Sequence, residues 1–222
     1  MKEKVFCIGF SKTGTTSLEQ ALNILGYKVC NGHYNNNYSN YLMALYIHKD
    51  YEELYKIINY FDVFVDAPWG GSDLYIKLAK DFNNAKFILT TRNEEKWFNS
   101  LKKMFCQFSS DEKDCLNDFH KKGRYGFVYF FKHIFKVESL IENKKTIISN
   151  YIKYNNDVID YFRNNHIDLL ILDVEEEKKW EKLCSFLNKD IPKNIPYPHS
   201  NKAKDKESKS SFLSSIKRKL NG

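Results

Sequence analysis

The stretch Lys4-Val5-Phe6-Cys7-Ile8-Gly9-Phe10-Ser11-Lys12-Thr13-Gly14-Thr15-Thr16-Ser17-Leu18 decides the fold. Its first part, Lys4 to Gly9, is a short continuous apolar run of the kind that forms a strand buried on both faces. A polar loop containing Gly14 follows at once. From Ser17 the apolar residues Leu18, Ala21, Leu22 and Leu25 recur at the spacing of an amphipathic helix, which Gly26 stops. Strand, loop and helix in that order open an α/β unit. The first N–H groups of such a helix have no partner within it and lie at the positive end of its dipole, so Gly9 to Ser17 is expected to hold a phosphate.

Outward from this unit, Tyr27 to Cys30 reads as a short strand and the Asn-rich Asn31 to Asn40 as a loop. Tyr41 to Ile58 carries one helical pattern. It leads to a buried strand, Val63 to Asp66, that ends in a carboxylate and is closed by Ala67-Pro68. Ser72 to Phe82 reads as helix, Lys86 to Thr91 as strand and Glu94 to Met104 as helix. Cys106 to Lys145 is aromatic-rich and helical without a strand, and is a candidate cover over a site. Thr146 to Asn164 is amphipathic, Leu169 to Val174 is the last strand and Lys178 to Leu187 the last helix. Strands alternating with helices predict an α/β fold, a parallel sheet flanked by helices on both faces in three layers.

With 42% hydrophobic content, 222 residues suffice for the core of one ordinary domain, expected over 1–200, and leave no room for two large ones. The formal charge is +7, but residues 201–222 hold seven Lys/Arg against Asp205 and Glu207, so this tail carries +5 and the body about +2. A body so near neutrality excludes a nucleic-acid-binding domain, because phosphate-driven affinity needs several cations clustered on one folded face. In the tail, Phe212, Leu213, Ile216 and Leu220 fall at helical spacing among Lys217, Arg218 and Lys219. A short basic amphipathic helix would suit an anionic membrane surface or a partner; a disordered, solvated tail is the plainer reading. The five cysteines, with no CxxC pair and no His in metal-ligand spacing, read as reduced thiols, with no metal site. Without a signal-peptide pattern or a spanning apolar run, the expectation is a soluble, cytoplasmic protein.

The glycine spacing of the loop matches the nucleotide-triphosphatase pattern GxxxxGK[ST], yet Thr15 occupies the lysine position and the cation, Lys12, sits inside the loop. That argues against a kinase or ATPase holding phosphates beside magnesium. The run from Gly9 to Leu18 instead resembles the phosphosulfate-binding loop of the sulfotransferases that use 3′-phosphoadenosine 5′-phosphosulfate (PAPS). Those proteins follow a later strand with an arginine and, eight positions on, a serine that grip the 3′-phosphate; here Lys86 to Thr91 is followed by Arg92 and then Ser100. A forked guanidinium donor suits a phosphate. The chain is most similar to a small P-loop sulfotransferase family over about residues 4 to 201, through KTGTTSLEQALNILGYKV, Cys30 and His33, VDAP, FILTTRNEEKW, WEKLCSFLNKDIP and YPHSN. It departs from that family at Lys179, where glycine is usual, and at Trp69-Gly70-Gly71 after VDAP.

The resemblance implies PAPS as cosubstrate, adenosine 3′,5′-bisphosphate as product, no metal, and a small-molecule or glycan acceptor. Ser11, Lys12, Thr13, Gly14, Thr15, Thr16 and Ser17 would hold the 5′-phosphosulfate, and Arg92 and Ser100 the 3′-phosphate. Lys12 would stabilise the charge that develops on the leaving oxygen. An acceptor hydroxyl needs a base, for which His33 and Asp66 are both candidates. The plainer readings are solvent exposure for His33 and a turn cap for Asp66. Trp97 and Trp180 read as core. A kinase or NTPase with a displaced lysine and a non-catalytic nucleotide-binding module are the alternative functions.

Overall fold

In the computed structural model, which describes residues 3–30 and 35–199, β1 (Val5–Cys7) lies at the centre of a five-stranded sheet. The others are β2 (Val29–Cys30), β3 (Val63–Val65), β4 (Lys86–Thr91) and β5 (Leu169–Asp173). Their order is β2-β3-β1-β4-β5 and every pairing is parallel, Cys7 standing level with Val65 on one side and Ile88 on the other. The expected sheet is therefore present, with all five carboxyl ends on one edge.

The side-chain alternation along each strand sorts the helices into two layers. Val5, Cys7, Val63, Val65 and Ile88 face α1 (Thr15–Ile24) and α9 (Lys179–Phe186), which meet them with Leu18, Leu22 and Leu183. Phe6, Ile8, Phe64, Phe87 and Leu89 face the other layer: α2 (Asn36–Ile47), α3 (Tyr51–Tyr60), α4 (Leu74–Asp81), α7 (Tyr125–Phe135) and α8 (Lys144–Asn164). Phe6 is fully buried, its ring 5.0 Å from Phe64 and 5.6 Å from Phe87. Truncating it to alanine would cost roughly 3–5 kcal/mol. A further apolar cluster joins α5 (Glu94–Phe105) and α6 (Cys115–Lys121) to α7 and α8 around Trp97, Phe105, Phe119 and Phe131.

Three expectations are corrected. The single helical pattern of Tyr41 to Ile58 is two helices, because the chain turns left-handed at Lys49 (φ 59°) and Asp50 caps α3 by accepting from the Glu53 N–H at 3.2 Å. The expected loop Asn31 to Asn40 already contains the first turn of α2, which Asn35 caps by accepting from the Tyr38 N–H; tertiary burial of Leu42, Met43 and Leu45 overrides the weak helix propensity of asparagine. The cysteines are not all thiols: Cys106 and Cys115 form a disulfide between the end of α5 and the start of α6, their Cα atoms 4.4 Å apart, leaving Cys7, Cys30 and Cys184 as buried thiols. Spacing along the chain carries no information about such a contact, and two of the five expected thiols are paired. Among the described residues no helix is long and apolar enough to cross a membrane. The tail 201–222 lies outside the described residues.

Candidate functional site

The loop from Ile8 to Gly14 is pinned against the neighbouring strands by close backbone contact. A Cβ on Gly9 would fall 2.1 Å from Thr90 Oγ1 and 2.5 Å from the Thr90 carbonyl oxygen, and one on Gly70 would fall 2.1 Å from the Gly9 carbonyl oxygen. The Trp69-Gly70-Gly71 departure thus has a physical reason: glycine lets the chain after β3 lie directly on the loop after β1. Thr13 turns inward, where its hydroxyl donates to the Phe10 carbonyl at 2.5 Å and shares a 2.6 Å hydrogen bond with the Thr90 hydroxyl, while its N–H donates to Phe10 O at 3.3 Å. Trp97, buried and stacked on Tyr151 at 4.0 Å, donates Nε1–H to the Ser11 carbonyl at 3.0 Å, so this core residue also holds the loop.

With its underside fixed, the loop presents its other face to a cleft. Lys12 sits in the left-handed region at φ 75° and Gly14, which starts α1, at φ 95°. Gly14 to Ser17 line the cleft, and among the described residues no side chain caps α1 and its first turn holds no acidic residue, so the positive end of the helix faces the cleft unneutralised. Burial lowers the Lys12 ammonium from the ordinary lysine value; the Asp66 carboxylate opposes that shift, and Arg92 and Lys103 add to it by repulsion.

Asp66, directly after β3, is also left-handed at φ 70°. One carboxylate oxygen accepts hydrogen bonds from the Ser11 hydroxyl and the Ala67 N–H, and the other accepts from Thr15 Oγ1 at 3.5 Å. Its cap to the following turn is real, but the same carboxylate ties the two sides of the β1–α1 loop together. Asp173, the other strand-ending aspartate, accepts from the Thr91 hydroxyl at 3.2 Å and the Glu175 N–H at 2.8 Å, a local turn cap.

Arg92 leaves the end of β4. The Tyr151 hydroxyl accepts from its backbone N–H at 3.0 Å and donates to its backbone carbonyl at 2.8 Å, which fixes the main chain and leaves the guanidinium to the cleft. There Nη1 reaches the Lys12 carbonyl at 3.3 Å, while Nε is buried with no hydrogen-bond partner among the described residues. A buried donor of a cation without a partner is costly, and a bound anion would remove that cost. One face of α5 adds Lys96, Asn99, Ser100 and Lys103, spaced at helical repeats toward the same cleft.

The cleft has a volume of about 870 Å³ and gathers Ser11, Lys12, Gly14, Thr15, Thr16 and Ser17 with Asp66, Arg92 and Ser100. Of the residues anticipated from the sequence, Thr13 stays on the loop's buried side and His33 lies outside the described residues. Lys96, Lys103 and Arg124 were not anticipated, nor were the lining residues Asn36, Asn40 and Phe119. For Lys103 a signal existed, since it follows Ser100 by one helical turn; Arg124 arrives through tertiary packing alone. Asn40 explains how: its amide donates to the Gly123 carbonyl at 2.8 Å and accepts from the Gly126 N–H at 2.9 Å, clamping α2 to the start of α7. A Cβ on Gly126 would come within 2.6 Å of Asn40 Cα.

Residues 4–206 match the family model of a sulfotransferase domain. A search of the curated proteins finds no match.

Proposed function

Because the chain belongs to the sulfotransferase domain family, we propose that it moves a sulfuryl group from PAPS to a hydroxyl or amine of a small-molecule or glycan acceptor. The observation that carries this reading is the convergence, in one cleft, of the α1 terminus, Lys12 and the buried Nε of Arg92, the first without a side-chain cap and the last without a hydrogen-bond partner among the described residues. Anion-binding donors gathered in this way suit a nucleotide with a 5′-phosphosulfate and a 3′-phosphate. The α1 terminus with Thr15, Thr16 and Ser17 would hold the first, and Arg92 with Ser100 the second.

When bound, PAPS supplies an activated sulfuryl group: a bond from sulfur to the acceptor atom forms as the bond to the phosphate oxygen breaks, leaving adenosine 3′,5′-bisphosphate. The residues supply placement and charge. Lys12, held left-handed by its loop on the cleft, would stabilise negative charge developing on the phosphate side. Asp66 keeps the loop in shape through Ser11 and Thr15 and faces the same cleft. The acceptor's proton would go to Asp66, which lines the cleft, or to His33, which lies outside the described residues; His199 lines the same cleft. Reconstituted transfer decides the proposal. Incubation with ³⁵S-labelled PAPS and a panel of phenols, alcohols, amines and glycans should label an acceptor with chelator present and lose the label in Lys12→Ala. Wild-type protein that neither binds adenosine 3′,5′-bisphosphate nor labels any acceptor would overturn it.

A further inference from the structure

The residues assigned to the nucleotide leave part of the cleft unused. A second set of lining residues comes from elsewhere: Met43 on α2, Met104 in the last turn of α5, Phe119 on α6 and Phe127 on α7. The Phe119 and Phe127 rings lie 6.2 Å apart, and each packs on Phe105 behind them, at 5.0 and 5.7 Å. This is an aromatic wall fixed from the core side. Arg124 stands at it, half-buried, with Cζ 5.4 Å over the Phe119 ring.

The cleft is lined by five cations, Lys12, Arg92, Lys96, Lys103 and Arg124, against two carboxylates, Asp66 and Glu175. Glu175 pairs with Lys96 at 2.7 Å and Asp66 is engaged by the loop hydroxyls. Lys12 and Arg92 answer the nucleotide's anions. Arg124 therefore faces the cleft with an aromatic ring under it and, among the described residues, no carboxylate paired to it. A guanidinium over a ring face keeps the fork of donors in its own plane free, the arrangement that takes a carboxylate bidentately while an apolar body lies along the aromatic wall.

We propose that Arg124 selects the acceptor, and that the acceptor is an aryl or other apolar alcohol bearing its own acid group: Arg124 holds the acid, and Phe119 and Phe127 hold the apolar body. This rests on the sulfotransferase reading above, whose nucleotide occupies the other half of the cleft. Arg124 acts through binding and not on the reacting atoms, so its mark is a preference between ligands.

The test is calorimetric. Phenols carrying a carboxylate on arms of one to three carbons, and the methyl esters of the same compounds, are titrated into full-length protein saturated with adenosine 3′,5′-bisphosphate. At least one acid should bind about tenfold or more tighter than its ester, the scale of a hydrogen bond to a charged group. The preference should vanish in Arg124→Gln and partly return in Arg124→Lys, with affinity for the bisphosphate unchanged in both. Acids and esters that bind alike, or acids that do not bind, overturn the assignment without any variant. So does an Arg124→Gln protein that loses bisphosphate affinity in parallel with acid affinity, since Arg124 would then serve the nucleotide. If wild-type protein fails to bind the bisphosphate, the sulfotransferase reading falls instead, and titration of the acids without nucleotide still decides the role of Arg124.

Discussion

Replacing Arg92 by alanine separates a ligand-binding role from a structural one, because the two predict opposite balances of affinity and stability. In the free protein the side chain contributes little to folding. Among the described residues its side chain makes one hydrogen bond, Nη1 to the Lys12 carbonyl, long at 3.3 Å, and Nε is buried without a partner. Loss of the first should cost about 0.5–1.5 kcal/mol, and relief of the second should return about as much, so folding stability should move by less than about 1 kcal/mol. The bonds from Tyr151 involve only the Arg92 backbone and survive the substitution. The bound state differs: two charge-assisted hydrogen bonds to a 3′-phosphate, at about 1.5 kcal/mol or more each, amount to roughly 3 kcal/mol, or on the order of 100-fold in affinity. Isothermal titration with adenosine 3′,5′-bisphosphate and adenosine 5′-monophosphate reads this directly. Wild-type protein should prefer the bisphosphate and Arg92→Ala should lose that preference, binding the monophosphate as before. A variant whose melting temperature falls by more than about 5 °C, or which weakens both nucleotides equally, would refute the reasoning.

Lys12 predicts a pH dependence. Burial favours its neutral form in the free protein and a bound anion favours the charged form, so affinity is full below the free-state pKa and falls as pH rises through it, starting below the ordinary lysine value of 10.5. Bisphosphate titrations from neutral pH upward should show that fall, and Lys12→Arg, which stays charged, should flatten it; a level wild-type profile would exclude Lys12 from the site. Gly9→Ala drives a methyl group into Thr90, whose backbone oxygen and nitrogen stand 2.5 and 2.7 Å from the Cβ position, so β1 and β4 must part. Urea melts should show a loss of about 3 kcal/mol, and a loss below about 0.5 would contradict the described contact. The Cys106–Cys115 disulfide closes a loop with a sequence separation of 9. In the chain-entropy account its removal by Cys106→Ser with Cys115→Ser costs roughly 2–3 kcal/mol. A melting temperature lower by about 5–10 °C is expected, matched by reductant on the wild type; equal melting with and without reductant would show the pair unbonded.

The cleft takes its β1–α1 residues from a short loop and its aromatic wall from helices α6 and α7. The β1–α1 loop holds Lys12 left-handed between Gly9 and Gly14, with Trp97, Thr90 and Asp66 bracing it from three sides. Non-glycine residues in the left-handed region persist where surrounding packing over-determines them, and such positions cluster at functional sites. Lys12 and Asp66 both meet that condition and both line the cleft.

What the sequence determined by itself is the local part of this protein. Apolar runs at Val5–Cys7 and Lys86–Thr91 and the helical repeat after Ser17 are readable because strand and helix periods act within a few residues of the chain, and Arg92 with Ser100 eight positions on is readable through the resemblance to the PAPS-using sulfotransferases. The parallel three-layer architecture follows from their alternation. Tertiary structure decided what joins distant segments. Asp66 takes the Ser11 hydroxyl across 55 positions, Trp97 holds the Ser11 carbonyl across 86, and Asn40 brings the start of α7, and with it Arg124, to the cleft across 83. The left-handed break at Lys49 and the meeting of Cys106 with Cys115 are of the same kind. Each depends on where packing places two pieces of chain, and no period in the sequence records that placement.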